Sequence, residues 1–211
     1  VQQSMGRDGV TLPRCGKDLT VEQVADGKRL IVDSHGQHYV LTVDEILVGV
    51  GRPPNVHGLG LEKVGVDYDH KGITVNDRLQ TTNPRIYAAG DVCSRYKFTH
   101  AADAMAQIVI QNALFPHPFG LGYASVQSLT MPWCTFTAPE VAHGGVYEAE
   151  AAKQGLKVET YTYKFDEVDR AILDGDEDGF ARLHIQAGTD RILGATIVGS
   201  HAGDLISEVS V

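Results

Sequence analysis

The sequence predicts a mixed α/β and α+β fold in two parts. Short apolar runs of strand length alternate with turn residues, and one long helical pattern covers residues 100–114. Residues 116–130 are rich in glycine, proline and serine and are predicted to link two domains. The chain has 211 residues, of which 43% are hydrophobic, so one large or two small domains with a packed core are expected.

The first predicted elements are β-strands. Leu30–Val32 and His38–Leu41 flank Ser34–Gly36, which is a plausible hairpin turn. Glu45–Val50 is a continuous apolar run that predicts a buried strand. Regular structure is expected to end at Gly51–Asn55, because its two prolines lack an N–H donor and fix φ.

A second group of short strands precedes the long helix. Ile73–Val75 is one candidate, and Ile86–Ala89 is predicted to be a short buried strand after the break at Asn83-Pro84. Gly90 and Asp91 follow at the end of this strand. A glycine there permits close backbone approach by a ligand, and the carboxylate offers an acceptor where strand ends tend to meet ligands.

The helix over residues 100–114 has the clearest apolar face. Thr99 is its predicted N-cap, and Pro116 is expected to end it. The residues that fall near one face are Ala101, Met105, Ile108, Val109 and Asn112.

The second part of the chain reads as a helix followed by strands. Tyr147–Gln154 is predicted to be helical, with Gly155 in the position that ends it. Strands are predicted at Val158–Phe165, Phe180–Gln186 and Ile192–Val198. A final helix is expected to begin near Gly203-Asp204.

Charge and cysteine content narrow the class of protein. The net charge of −9, from 27 acidic and 18 basic residues, argues against nucleic acid as a partner. No run approaches the roughly 18 apolar residues of a membrane helix, and the N-terminus has no signal-peptide pattern.

Three widely spaced cysteines, Cys15, Cys93 and Cys134, do not suggest a disulfide framework, so a cytoplasmic location is expected. The chain begins without methionine and is expected to be cut at both ends.

Several ordered motifs resemble those of the flavin-dependent pyridine nucleotide–disulfide oxidoreductases. This family includes lipoamide dehydrogenase, glutathione reductase and mercuric reductase, and the sequence is most similar to the mercuric reductase-like members. The resemblance covers nearly the whole chain but only the C-terminal half of a family member. The segments that carry it are Asp44–Asn55, Thr82–Val92, Phe98–Ala101, Met131–Ala142, Val168–Ala171 and Gly194–Gly199.

The resemblance implies three pieces of a flavoprotein with two dinucleotide-binding domains. Residues 1–48 would be the end of the NAD(P)-binding domain, and residues 49–124 the end of the FAD-binding domain. Residues 125–211 would be a truncated α+β dimerisation domain, through which the protein would form a homodimer. The implied cofactors are FAD and NAD(P)H.

The resemblance also assigns candidate cofactor-binding residues. Gly90 and Asp91 would lie against FAD, with the Asp91 carboxylate accepting hydrogen bonds from the ribityl chain; a turn-capping role for Asp91 is the alternative. Phe98, Thr99, His100 and Ala101 would place a helix N-terminus beside the flavin pyrimidine ring, where its free N–H groups and positive dipole end stabilise negative charge. His100 is not expected to be a catalytic base.

The remaining candidates are a glycine before two prolines, an acidic run and two cysteines. Gly51 resembles the position that lies beside the nicotinamide cofactor, although a simple interdomain turn at Gly51-Arg52-Pro53 is the alternative, and Arg52 could equally form a structural ion pair. The acidic run Asp174–Gly179 has the composition but not the spacing of a calcium loop, so an exposed hairpin tip is expected. Cys93 and Cys134 are expected to pack in the interior, and no metal site is predicted.

The implied reaction passes electrons from NAD(P)H through FAD to a disulfide or to Hg(II). The chain lacks the family's paired cysteines, both glycine-rich fingerprints and the terminal His-Glu segment, so by itself it is expected to be inactive and no catalytic residue is assigned. A lipoamide dehydrogenase or glutathione reductase-type enzyme is an alternative, as is a dimerising scaffold without catalysis. The electron acceptor and the choice between NADH and NADPH stay open.

Overall fold

Residues 1–210 are described by a computed structural model in which the chain forms two units. Unit 1 consists of Val1–Gly51 together with the short segment Thr137–Pro139. Unit 2 consists of Arg52–Phe136 and the chain from Glu140 onward. No helix formed by residues 1–210 has the length and apolar character that a membrane crossing would need.

Unit 1 contains one short helix and a three-stranded antiparallel sheet in the order β1-β2-β3. The elements are α1 (Gln2–Arg7), β1 (Lys17–Val24), β2 (Gly27–Ser34) and β3 (Gln37–Val43). The predicted hairpin between β2 and β3 is confirmed. Its two-residue turn is His35-Gly36, with φ values of 51° and 77°. Positive φ at both positions matches the twist of the flanking strands.

The predicted strand at residues 45–50 is wrong. This segment has no regular structure, and the side chains of Leu47 and Val50 are 98% and 91% exposed. Within residues 1–210 no strand pairs with it. A strand depends on hydrogen bonds to a neighbouring strand, so an apolar composition alone does not form one.

The first half of unit 2 contains a small hairpin and the long helix. These elements are β4 (Tyr68–Asp69), β5 (Gly72–Ile73) and α2 (Thr99–Leu114). The predicted strand at residues 73–75 is shorter than expected, since Val75 forms only an isolated bridge with Thr81.

The predicted strand at residues 86–89 is also wrong. Only Tyr87 makes a bridge, with Gln80, although Ala88 is buried as expected. The break at Asn83-Pro84 is confirmed as a turn, in which the Ile86 N–H donates to the Asn83 carbonyl oxygen at 2.9 Å. The backbone of the segment also pairs with the chain just before the turn, since the Thr81 N–H donates to the Ile86 carbonyl oxygen at 2.9 Å and the Ala88 N–H to the Leu79 carbonyl oxygen at 3.0 Å. These bonds hold an apolar loop and do not extend into a regular strand.

Helix α2 has the predicted length and buried face. Ala101, Met105, Ile108 and Asn112 are buried, and the helix ends at Leu114, before Pro116. The predicted N-cap is wrong by one residue. Phe98 occupies that position in an extended conformation, and no side chain caps the helix. Thr99 is already the first helical residue, so its hydroxyl is not placed to accept from the next turn.

The second half of unit 2 is a five-stranded antiparallel sheet in the order β6-β7-β10-β9-β8. A cluster of small and branched side chains packs between this sheet and the C-terminal helices. The elements are β6 (Trp133–Thr135), β7 (Glu140–Gly145), α3 (Glu148–Lys153), β8 (Val158–Lys164), α4 (Asp169–Asp174), β9 (Phe180–Gln186), β10 (Ile192–Gly199) and α5 (Ala202–Leu205).

Most predicted elements of this half are confirmed, namely α3, β8, β9, β10 and a helix near residue 203. Strand β7 was not predicted, because its glycines and histidine give no alternating apolar pattern. Helix α4 was not predicted either. The acidic run that begins at Asp174 is exposed, as expected, but it starts at the end of this helix rather than at a hairpin tip.

Two buried histidines lie in this sheet. His143 in β7 and His184 in β9 are 2% and 4% exposed. The His143 Nε2 atom donates to the Gly145 carbonyl oxygen at 3.2 Å, so Nδ1 accepts from the Thr196 hydroxyl at 2.9 Å. The ring also stacks on Tyr147, with centroids 3.6 Å apart. Burial lowers the pKa of both histidines, because it disfavours the charged imidazolium.

Acid should therefore destabilise this sheet. As the pH falls below about 6.5, the unfolded chain binds protons at His143 and His184 before the folded chain does, so the free energy of unfolding decreases. Urea unfolding at pH 7.5 and at pH 5.5 measures the decrease. His143→Gln keeps a donor and an acceptor but does not titrate, so we expect a smaller decrease. An equal pH dependence in both proteins would contradict the prediction.

Candidate functional site

The centre of the candidate site is a single helical turn, Gly90–Val92, that lies directly on helix α2. Gly90 has a φ of 77°, and a Cβ atom there would lie 2.8 Å from the Cβ of Ala102. The Gly90 N–H points at the Met105 sulfur, 3.4 Å away. Only glycine combines this left-handed backbone with so close an approach to the helix.

A second glycine holds the turn from the other side. Gly72 in β5 has a φ of 133°, and a Cβ there would lie 2.4 Å from the Val92 carbonyl oxygen. The turn is therefore packed between β5 and α2, with backbone against backbone. This packing fixes the position of the Asp91 backbone, from which its side chain extends.

Asp91 is held by two cations. Arg52 Nη1 donates to the Asp91 Oδ2 atom at 3.2 Å, and Lys97 Nζ donates to the Asp91 carbonyl oxygen. The Asp91 side chain is 39% exposed. Within residues 1–210 no group donates to Oδ1, so this oxygen is available to an external donor.

The N-terminus of α2 lies beside this turn and is uncapped. Phe98 provides no side-chain hydrogen bond, and the first intrahelical bond is from the Ala102 N–H to the Phe98 carbonyl oxygen at 3.0 Å. The N–H groups of Thr99, His100 and Ala101 therefore have no acceptor within the helix. Together with the helix dipole they make a positive surface that favours an electron-rich ligand group.

The His100 side chain has a structural role in this structure. Its Nε2 atom donates to the Pro132 carbonyl oxygen at 2.8 Å, and its ring stacks on Phe98 with centroids 5.4 Å apart. The start of α2 is thereby tied to the segment that leads into β6.

The predicted site residues of unit 2 are brought together. Gly90 packs against Ala102 in the first turn of α2, and Lys97, just before that helix, donates to the Asp91 carbonyl oxygen. Phe98 and residues 99–101 join these two contact points along the chain. Gly51 ends the first segment of unit 1, where it is exposed with a φ of 115°.

Sequence reasoning missed three residues that shape the site. They are Arg52 as the partner of Asp91, Lys97 as its backbone anchor, and Ala102 as the small side chain beneath Gly90. The run of alanines at the start of α2 is the one signal that could have indicated close packing there. Nothing in the sequence joins Arg52 to a carboxylate 39 positions away.

The cysteines of this region are poor nucleophiles. Burial raises the pKa of Cys93 to about 11, against a smaller opposing effect of Lys97. Burial and the neighbouring Glu140 carboxylate raise the pKa of Cys134, whose thiol lies 3.8 Å from Glu140 Oε2. Both pack against hydrophobic clusters, as predicted, but they are only partly buried. All three cysteines are free, and within the described part of the chain no three His, Cys, Asp or Glu side chains are grouped to hold a metal.

Thiol labelling should separate these cysteines. With a pKa of about 11, only about one Cys93 thiol in a thousand is ionised at pH 8, and the thiolate is the reactive form. A short iodoacetamide pulse should modify the exposed Cys15 well before Cys93, as read by peptide mass spectrometry. Cys15→Ser is the control, because it should remove most of the fast labelling. Equal labelling rates at Cys15 and Cys93 would contradict the burial of Cys93.

Two family models match the chain. One, described as pyridine nucleotide-disulphide oxidoreductase, matches residues 2–106. The other, the dimerisation domain of pyridine nucleotide-disulphide oxidoreductases, matches residues 131–211. The two models belong to one family and follow each other along the chain.

Individual relatives agree with these matches. The chain is 35% identical over 207 residues to mercuric reductase from Staphylococcus aureus, covering 98% of this chain and 37% of the relative. It is 33% identical to dihydrolipoyl dehydrogenase from Chlamydia muridarum, and the match covers 97% of this chain and 42% of the relative. The structure of the HOCl-induced flavoprotein disulfide reductase RclA from Escherichia coli superposes with a TM-score of 0.74 at 26% sequence identity. This match covers 90% of the present chain and 42% of RclA. The chain thus spans about two fifths of the length of these relatives.

Proposed function

Because the chain belongs to the pyridine nucleotide-disulphide oxidoreductase family, we propose that it forms part of an FAD-dependent NAD(P)H oxidoreductase. The complete protein would pass electrons from NAD(P)H through FAD to a disulfide or to Hg(II). The family uses FAD and NAD(P)H, and the similar proteins include a mercuric reductase and a flavoprotein disulfide reductase.

One observation carries the proposal for this chain's own residues. The open Oδ1 atom of Asp91 belongs to a turn that packs, through Gly90, against the first turn of α2, whose N-terminus is uncapped. A carboxylate oxygen accepts from hydroxyl groups, and free N–H groups donate to carbonyl and ring-nitrogen acceptors. FAD has both kinds of group, in its ribityl chain and its flavin ring, so the residues present fit this cofactor.

Each residue would have a binding or electrostatic task. Asp91 would accept from a ribityl hydroxyl, and Gly90 would keep the backbone close to helix α2. The N–H groups of Thr99, His100 and Ala101 would stabilise the negative charge that develops on reduction. Phe98 would hold the extended backbone that leads into helix α2. FAD, when bound, supplies the hydride and electron transfer chemistry. Gly51 would allow the chain to pass close to NAD(P)H.

We further propose the domain limits and the assembly. Residues 1–48 would complete the NAD(P)-binding domain, 49–124 the FAD-binding domain and 125–211 a dimerisation domain that forms a homodimer. The match to the dimerisation domain supports the assembly. Light scattering on the complete protein tests it, since a monomer at high concentration would count against it. The three free cysteines favour a reducing cytoplasm.

Anaerobic reduction tests the activity. The complete protein should lose its flavin absorbance when NADH or NADPH is added, and should regain it with an electron acceptor. Lipoamide, glutathione disulfide and Hg(II) are compared as acceptors, which separates the mercuric reductase-like function from its alternatives. A flavin that neither NADH nor NADPH reduces would overturn the proposed reaction.

A further inference from the structure

We propose that Arg52 is a positioning residue that turns the Asp91 carboxylate toward the ribityl chain of FAD. This inference rests on the proposed function and adds to it a residue for which the sequence offered only a generic ion pair. In this inference Arg52 acts through the Asp91 carboxylate, with which it pairs.

The ion pair occupies one carboxylate oxygen of Asp91 and leaves the other open to a ligand. Arg52 Nη1 binds Oδ2 at 3.2 Å, while Oδ1 receives no donor from residues 1–210. A carboxylate on a short side chain rotates readily about its last torsion angle. Fixing Oδ2 removes that freedom, so the open Oδ1 atom keeps one direction before a ligand arrives. Preorganisation of this kind strengthens binding because less freedom is lost on association.

The backbone beneath the carboxylate is already fixed. Lys97 donates to the Asp91 carbonyl oxygen, and the Gly90–Val92 turn is packed between Gly72 and Ala102. The remaining freedom of Asp91 is therefore in its side chain, which is what Arg52 restrains. The two cations have separate tasks, because Lys97 holds the main chain and Arg52 holds the carboxylate.

The exposure of the pair indicates that it does little for the fold. The Arg52 side chain is 69% exposed, and exposed ion pairs add little to stability. Removing Arg52 should therefore leave the apoprotein folded. A loss of cofactor affinity without a loss of stability is the signature that separates positioning from a structural role.

The test compares two ligands on the apoform of the complete protein. FAD contains the ribityl chain, whereas ADP carries only the adenine half of FAD. Arg52→Met should raise the Kd for FAD about tenfold and leave the Kd for ADP unchanged. Arg52→Lys keeps a cationic donor and should recover most of the affinity for FAD. Arg85→Met is the matched control, since Arg85 is an exposed arginine of the same unit whose side chain has no partner within residues 1–210.

The outcomes are distinct. Wild-type protein that binds no FAD overturns the proposed function and this inference together. Wild-type protein that binds FAD, with Arg52→Met binding equally well, overturns only the role of Arg52. Equal weakening of FAD and ADP, or a lowered thermal midpoint of the Arg52→Met apoprotein, shows general damage and also overturns it. Selective weakening for FAD with rescue by lysine supports it.

Discussion

Replacing Asp91 with alanine in the complete protein should weaken the binding of FAD. The open Oδ1 atom would accept a charge-assisted hydrogen bond, and bonds to charged groups contribute about 1.5–3 kcal/mol, so the Kd for FAD should rise roughly 10- to 150-fold. Asp91→Asn keeps an oxygen acceptor without the charge and should lie between wild type and alanine. Titration of the apoprotein with FAD, followed by fluorescence, gives the three dissociation constants.

Asp67→Ala is the matched control for this prediction. Asp67 is an exposed carboxylate of the same unit, and its bonds among the described residues come from its backbone alone. This variant should bind FAD as wild type does. An Asp91→Ala protein with unchanged affinity would show that the carboxylate caps its own turn and does not contact the cofactor.

Replacing Gly90 with alanine should unfold or strongly destabilise the second unit. The new Cβ would lie 2.8 Å from the Ala102 Cβ, on a backbone with a φ of 77°. The left-handed conformation costs about 1–2 kcal/mol and overpacking about 1–3 kcal/mol, so a loss of about 2–5 kcal/mol in unfolding free energy is expected. Urea unfolding followed by circular dichroism measures this loss.

Gly65→Ala separates the cost of the left-handed backbone from the cost of overpacking. Gly65 has a φ of 68°, and a Cβ there would meet no atom within 4 Å. It should therefore lose only the conformational part, about 1–2 kcal/mol. Equal losses at Gly90 and Gly65 would show that the turn does not pack tightly on α2.

The sequence predicts elements well where their stabilisation is local or strongly periodic. Helix α2 has a repeating apolar face over four turns, and the hairpin at His35-Gly36 has turn residues that tolerate positive φ. Residues 45–50 and 86–89 had the composition of strands but not the partners. Strand formation depends on neighbours that are distant in sequence, so a short apolar run does not decide it.

The residues of the candidate site also differ in whether a local sequence signal or a distant contact identifies them. Asp91 and residues 98–101 were predicted as site residues because each lies in a short motif. Gly90 was predicted for its backbone freedom, and the structure adds that the adjacent helix also requires a glycine there. The Arg52–Asp91 pair depends on tertiary packing, and the identity of Arg52 as a partner could not be read from its own neighbourhood.

The visible absorption spectrum of the complete protein tests most directly whether Asp91 and the N-terminus of α2 belong to an FAD site. The purified protein should be yellow, with flavin absorption bands, and should release about one FAD per chain on denaturation. A folded protein that is colourless, and stays so after incubation with excess FAD, would contradict this assignment.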